Sequence, residues 1–180
     1  LQVDESLLSE TLVIFATKNG MVRKNKLIDV AKSGKRELRE TGKLAIKLDV
    51  KDELIGVKLA SKLNDVLLST KNGKCLRFPL EKLRLFSGLN SAGVKGISLA
   101  KDNFVISQAI LKHSKIDINI RQDYLRSASD NRKSAGSLKS KFNELHLNEE
   151  FLLSLTTNGY GKRSSAYEYR ISNRGGKGIT

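Results

Sequence analysis

The stretch "ATKNGMVRKNKL", Ala16 to Leu27, sets an Asn-Gly pair between an apolar run and a basic one. The arrangement returns as "STKNGKCLRFPL", Ser69 to Leu80, and again as "LTTNGYGKRSSA", Leu155 to Ala166. Asn-Gly between apolar runs is the strongest short hairpin signal, because a type I′ turn needs positive φ at both central residues. The flanking residues suit strands. Val13, Ile14 and Phe15 precede the first turn, Val66 the second and Phe151 the third, all β-branched or aromatic. Three hairpins are expected, each leaving its turn through lysine or arginine.

Working outward from the turns, the chain divides into units at 11–60, 64–111 and 150–180. Their parts come in one order. An apolar strand leads into Asn-Gly, a basic strand leads out, and a Gly-containing segment follows: Gly42 to Ile46, Gly93 to Ile97, Gly175 to Ile179. In the first two units an acidic turn (Asp52, Asp102) then precedes a further apolar strand, Leu54–Val57 or Phe104–Ile106. Helical periodicity is weak. Four strands in a unit of about 50 residues make a blade, so the expected fold is all-β, a propeller-like array of four-stranded blades. A β-sandwich made by duplication is the alternative at this point. Residues 112–149 interrupt the order. They are polar, with a helical stretch expected at Asp117 to Ser129 and a mobile loop at Ser127 to Ser140.

The chain has 180 residues, with 33 Lys+Arg against 19 Asp+Glu, a net charge of +14 and a pI near 9.9. A field of that sign favours polyanions, of which nucleic acid is the usual one. No apolar run approaches the roughly 20 residues of a membrane helix, so no membrane partner is expected. Cys75 is the only cysteine, which excludes an internal disulfide and a zinc site built on several cysteines. A reducing, cytoplasmic setting fits that usage. The start, "LQVDESLLSE", carries neither an initiator Met nor a signal-peptide pattern, so a segment of a longer protein is expected.

Four residues beyond the turn glycines stand Lys24, Arg77 and Arg163; three residues beyond stand Arg23, Leu76 and Lys162. Successive strand residues point to opposite faces. A cation repeated at one register is expected to face solvent on every blade and to give a DNA-facing stripe. Solvated lysines that blunt strand edges are the competing account. The candidate DNA-contacting set adds the neighbouring cations Lys26, Lys35, Arg36, Lys74, Lys82 and Arg84. It is completed by Lys95, Arg170, Arg174 and Lys177.

"FATKNGMVRKNKL", "LRFPLEKLRLFSGLNSAGVKGI" and above all "TTNGYGKRSSAYEYRISNRGGKGI" resemble the C-terminal domain of the DNA gyrase A subunit. The resemblance covers all three units. It implies a β-pinwheel, about six four-stranded blades that wrap DNA around a basic outer rim. The family's A-box, Gln-Arg-Arg-Gly-Gly-Arg/Lys-Gly, is matched only in its last five positions by Arg174-Gly175-Gly176-Lys177-Gly178. Ser172 and Asn173 stand where the first two belong. That makes this the degenerate version found on later blades, so the chain is expected to be the middle blades, about half a domain. The topoisomerase IV C-terminal domain is the close rival. The implied partners are double-stranded DNA and, in the parent enzyme, the gyrase B subunit together with the remainder of the gyrase A subunit. The implied location is the bacterial cytoplasm, on the chromosome.

No active site is read from the sequence, and no cofactor or metal is expected. The catalytic tyrosine of gyrase belongs to a separate region, so Tyr124, Tyr160, Tyr167 and Tyr169 are not read as nucleophiles. His113 and His146, far apart around a loop, make a poor metal site. "GLNSAGVKG" lacks the Gly-Lys-Ser/Thr ending of a phosphate loop. The function expected is sequence-independent DNA binding, bending and wrapping, as the non-catalytic part of a type II topoisomerase that introduces negative supercoils. The alternative is a protein-interaction or scaffold propeller with a basic face. Wrapping requires affinity that rises with duplex length and falls steeply with salt, which a protein partner does not.

Overall fold

The computed structural model of the protein describes residues 9–31, 44–134 and 142–180. It has two compact bodies: residues up to His113 together with Ile171–Thr180, and Ser114–Arg170. No described helix is long and apolar enough to cross a membrane.

The three expected hairpins form, but their turns are not type I′. Gly20, Gly73 and Gly159 have φ of 81°, 75° and 83°, whereas the only described non-glycine residues with positive φ are Lys51 and Asp102. Asn19 and its counterparts therefore stay out of the left-handed region. Each glycine amide donates to the carbonyl of a threonine three residues back, Thr17, Thr70 or Thr156, at 3.0 Å. The next amide (Met21, Lys74, Tyr160) donates to the Oγ1 of that same threonine at 3.2 Å. This fits the three-residue hairpin loop closed by a left-handed glycine. The threonine hydroxyl supplies the acceptor that makes this loop hold, so the repeated unit is Thr-x-Asn-Gly rather than Asn-Gly alone.

A second side-chain cap reaches the turns from further along the chain. Asp52 Oδ1 accepts from the amides of Asn19 and Glu53, both at 2.9 Å. Asn103 Oδ1 accepts from Asn72 at 3.2 Å and Phe104 at 3.0 Å. The structural counterpart of Asp52 is thus Asn103, not Asp102. Asp102 (φ 61°) matches Lys51 (φ 65°) instead. What these turns require is a short side-chain carbonyl oxygen, which Asp and Asn supply equally.

In the first body, β1 (Leu12–Thr17) pairs antiparallel with β2 (Met21–Lys26) and β3 (Leu54–Ala60). A five-residue helix, α1 (Leu27–Ala31), follows β2. β4 (Asn64–Thr70) pairs with β5 (Cys75–Pro79) and β7 (Val105–Lys112). The first sheet is completed from the next unit: β6 (Val94–Lys95) adds to β2 through Met21↔Lys95 and Val22↔Val94, giving the order β3-β1-β2-β6. The second sheet, β5-β4-β7, is extended in the same sense by the bridges Arg77↔Ile171 and Cys75↔Ile179. The Gly-containing segment of one unit therefore closes the sheet of the unit before it. Close approach explains the glycine. A Cβ on Gly93, whose φ is 101°, would lie 2.3 Å from the carbonyl oxygen of Val22.

All six residues of β1 are buried, three to each side. Leu12, Ile14 and Ala16 pack with Val66, Leu68, Leu76, Phe78 and Val105 of the second sheet. Val13 and Phe15 pack on the other face with Ile46 and with Leu27 and Val30 of α1. Each Val, Leu, Ile or Phe side chain among them contributes roughly 1.5–3 kcal/mol on burial. β1 and most of β2 are thus covered on both faces, whereas β3 at the sheet's edge is largely exposed.

The second body holds α2 (Ile118–Ser134), α3 (Asn143–Leu147) and the hairpin of β8 (Phe151–Leu155) and β9 (Gly161–Ser165). The ring of Tyr124 meets those of Phe142 and Tyr167 edge-on, both centroids at 5.6 Å. Its hydroxyl donates to Glu149 Oε2 at 2.7 Å. A capping box at Ser165 and Glu168 ends the hairpin. Residues 127–134, expected as loop, continue α2, because Tyr124 and Ala128, one turn apart, give the helix a buried side. The rest of that expected loop, 135–140, lies outside the described residues.

Candidate nucleic-acid interface

The shared register beyond the turns does not give a solvent-facing stripe. Arg77 is 3% exposed; its Nε donates to Asp65 Oδ2 at 2.8 Å and its Nη2 to the Lys112 carbonyl at 2.8 Å. Asp65, itself fully buried, also meets His113 Nδ1 at 2.7 Å. Lys24 is half-buried, its Nζ donating to the Leu80 carbonyl at 2.7 Å. Burial lowers its pKa, with Glu81 raising it and Lys62 lowering it further. Arg23, on the opposite face of β2, is 0% exposed and donates through Nη1 to the Ser91 carbonyl at 2.7 Å. Its pKa is also lowered by burial. The physical reason lies in the stacking: with a covered face on each side, neither parity of β2 or β5 is a solvent face. Arg163, at the equivalent position of β9, is exposed, with its guanidinium 4.5 Å from the Phe151 ring centroid.

Most of the exposed candidate cations of the first body sit instead on the segments that cross between units. Arg174 reaches two of them at once: Nε donates to the Lys82 carbonyl and Nη1 to the Lys95 carbonyl, both at 3.1 Å. The same segment is fastened by Gly175 N to the Gly96 carbonyl at 2.6 Å and by Ser98 N to the Gly176 carbonyl at 2.8 Å. Ser98 Oγ donates to the Gly175 carbonyl at 2.7 Å. One guanidinium thus ties the backbones of Lys82 and Lys95 together, with Lys177 three residues along. All four side chains are exposed, and none is ion-paired with a described carboxylate. Arg84 joins them two residues after Lys82, its guanidinium 4.2 Å from the Phe86 ring centroid. A row of cations held on a hydrogen-bonded backbone, with no described carboxylate ion-paired to it, is suited to phosphates.

The remaining candidates are scattered. Lys26 is exposed at the end of β2, and Lys74 is half-buried beside the second turn. Lys162 and Arg170 are exposed in the second body, where Lys162 lies 3.4 Å from Glu168. Lys35 and Arg36 fall outside the described residues. Sequence reading passes over Lys18 and Lys71, which precede the first two turn asparagines. Their ammonium groups stand 5.2 and 5.4 Å from the centroid of one ring, Phe104. The signal is present in the repeated Thr-Lys-Asn-Gly. Among the described residues no cluster of three His, Cys, Asp or Glu side chains is placed to hold a metal.

Residues 64–109 and 150–180 match the family described as "DNA gyrase C-terminal domain, beta-propeller". The chain is 38% identical over 205 residues to the DNA gyrase A subunit of Granulibacter bethesdensis, an alignment covering 99% of this chain and 21% of that protein. It is 41% identical over 181 residues to the same subunit of Rickettsia bellii, covering 93% of this chain and 19% of that one. It therefore spans about a fifth of the length of these relatives. Two solved structures share the fold at a TM-score of 0.65. They are a DNA topoisomerase IV C-terminal domain (22% identity; 94% of this chain, 41% of that one) and a DNA gyrase A C-terminal domain (19%; 98% and 45%).

Proposed function

This chain belongs to the family of DNA gyrase A C-terminal domains, and we propose that it binds, bends and wraps duplex DNA without reading its sequence. The observation that carries the proposal is the exposed cation row Lys82, Lys95, Arg174 and Lys177, pinned by the two hydrogen bonds of Arg174. Duplex DNA carries a charge about every 1.7 Å of axis, and each cation that meets a phosphate releases counterions. Bending a 20–30 base-pair site by 40–90° costs on the order of 1–6 kcal/mol, which contacts along the curve offset. Phosphate contacts position the duplex and leave base identity unread.

In the parent protein the proposed partners are DNA, the gyrase B subunit, and the remainder of the gyrase A subunit. There the wrapped DNA would present a neighbouring segment for strand passage, so that a type II topoisomerase introduces negative supercoils. This chain would bend DNA and leave cleavage and ATP hydrolysis to other regions, in the bacterial cytoplasm.

The test is binding to duplexes of about 15, 30 and 60 base pairs at several salt concentrations, with a fluorophore pair on the DNA ends. Affinity that climbs with length, ends that draw together, and loss of both in salt are the expected results. Weak binding at every length, or straight DNA, would leave the chain as a spacer or a protein-docking part.

A further inference from the structure

The crossing segments carry a register of their own. Two parallel bridges join them to the strands that leave the turns, Lys24↔Leu85 and Arg77↔Ile171. Lys24 and Arg77 are equivalent residues of two hairpins, each four beyond its turn glycine, so Leu85 and Ile171 are equivalent too. The next amide agrees: Phe86 N donates to the Lys24 carbonyl and Ser172 N to the Arg77 carbonyl, both at 2.9 Å. The residue before each bridge is an arginine, Arg84 or Arg170, and both are exposed. Neither is ion-paired with a described carboxylate.

The two copies differ in what stands two positions on, Phe86 after Arg84 and Ser172 after Arg170. The Arg84 guanidinium carbon lies 4.2 Å from the centroid of the Phe86 ring. The residue carrying that ring is itself anchored: besides its amide bond, its carbonyl accepts from Asn25 Nδ2 at 2.7 Å, so β2 holds both of its backbone groups. Ser172 Oγ donates instead to the Arg77 carbonyl at 3.2 Å. The ring holds the Arg84 guanidinium without occupying its donors, and no described hydrogen bond uses an Arg84 N–H.

We propose that Phe86 is a positioning residue that presents the Arg84 guanidinium, oriented in advance, to a phosphate of duplex DNA. Arg170 repeats the charge without the seat. The proposal rests on the DNA-binding reading and separates two roles within that interface. A planar guanidinium held on a ring keeps N–H pairs for a bidentate grip on one phosphate and loses less freedom on binding. A lysine ammonium supplies charge but no fork. Arg84 thus fixes where a phosphate lies, and Lys82, Lys95 and Lys177 add charge around it.

The experiment measures duplex affinity against salt for the chain and four variants: Arg84→Lys, Phe86→Leu, the two combined, and Arg170→Lys. All four keep the net charge, so the salt slope should stay that of wild type. Arg84→Lys and Phe86→Leu should each weaken binding by roughly two- to fivefold at fixed salt, the effect of one exposed cation–π contact. The combined variant should bind no more weakly than Arg84→Lys alone, because both changes remove the same seat. Arg170→Lys, with no ring to lose, should lose less than Arg84→Lys. Proton NMR of the DNA-free chain gives a separate reading: the ring should move the Arg84 Hε line upfield, and Phe86→Leu should return it. Arg84→Lys, at an exposed site, supplies the binding test whether or not Phe86→Leu folds. Arg84→Lys binding as tightly as wild type, equal losses from Arg84→Lys and Arg170→Lys, or an unshifted Arg84 Hε line overturns the proposal and leaves DNA binding in place. A wild-type chain that binds no duplex overturns both.

Discussion

Lys24 and Arg77 share one register in two successive hairpins, and neither is free at the surface: one serves a carbonyl, the other a buried carboxylate. Lys82, Lys95, Arg174 and Lys177 lie off that strand register, on segments that cross between units, and are all exposed. The difference teaches where a stack of sheets keeps its surface charge. Alternation along a strand separates inside from outside only when one face meets water. Here both faces of β1 and β2 are covered, so Arg23 and Lys24 within β2 become part of the packing. The cations left for a polyanion are those on edges, turns and crossing segments.

The largest expected effect on the strand side is from Arg77→Ala, which leaves Asp65 buried with the His113 ring as its remaining described side-chain partner. A loss of about 3–5 kcal/mol in urea unfolding is expected. A loss below about 1 kcal/mol would break the comparison, because Arg77 would then be as dispensable as a surface cation.

The two turns differ next. A Cβ on Gly20 would lie 2.9 Å from Ile97 Cγ2, whereas one on Gly73 meets nothing within 4 Å. Both glycines have positive φ, so Gly73→Ala carries backbone strain alone, about 1 kcal/mol, and Gly20→Ala adds a clash for about 2–3 kcal/mol. Equal losses in thermal melts would mean that the first turn is no more tightly packed than the second.

Thr70→Val keeps the shape of the side chain and removes the acceptor of the Lys74 amide. It should cost about 1 kcal/mol by chemical denaturation. No loss would return the turn to Asn-Gly alone.

Much of this arrangement is legible in the sequence. The three Asn-Gly turns, the apolar strands before them and the repeated order of parts specify hairpins in series. The type of turn is not legible from the pair alone, because the deciding atom, the threonine Oγ1, lies outside it. Charge matches Asp52 to Asp102, although the true counterpart Asn103 is selected by its carbonyl oxygen. The sheet that each Gly-containing segment joins is hidden, since Val94–Lys95 is two residues long and its partner Val22 is far off in sequence. That non-local pairing buries one set of cations and exposes the other, so the site set from sequence mixes Arg23 and Arg77 with Lys82 and Arg174. The buried aromatic contacts of Tyr124 are hidden likewise, because a polar composition masks a helix with one narrow apolar side.

The smallest expected effect on stability per substitution, and the most direct test of the proposed interface, belongs to the triple variant Lys82→Ala, Lys95→Ala, Lys177→Ala. Unfolding should change by no more than about 0.5 kcal/mol for each exposed substitution. The measurement is the slope of log affinity for a long duplex against log salt concentration. The account predicts that the slope shrinks by about 0.9 for each phosphate no longer neutralised, while the fold stays intact. An unchanged slope in a folded triple variant would contradict it, and would place the DNA path away from the crossing segments.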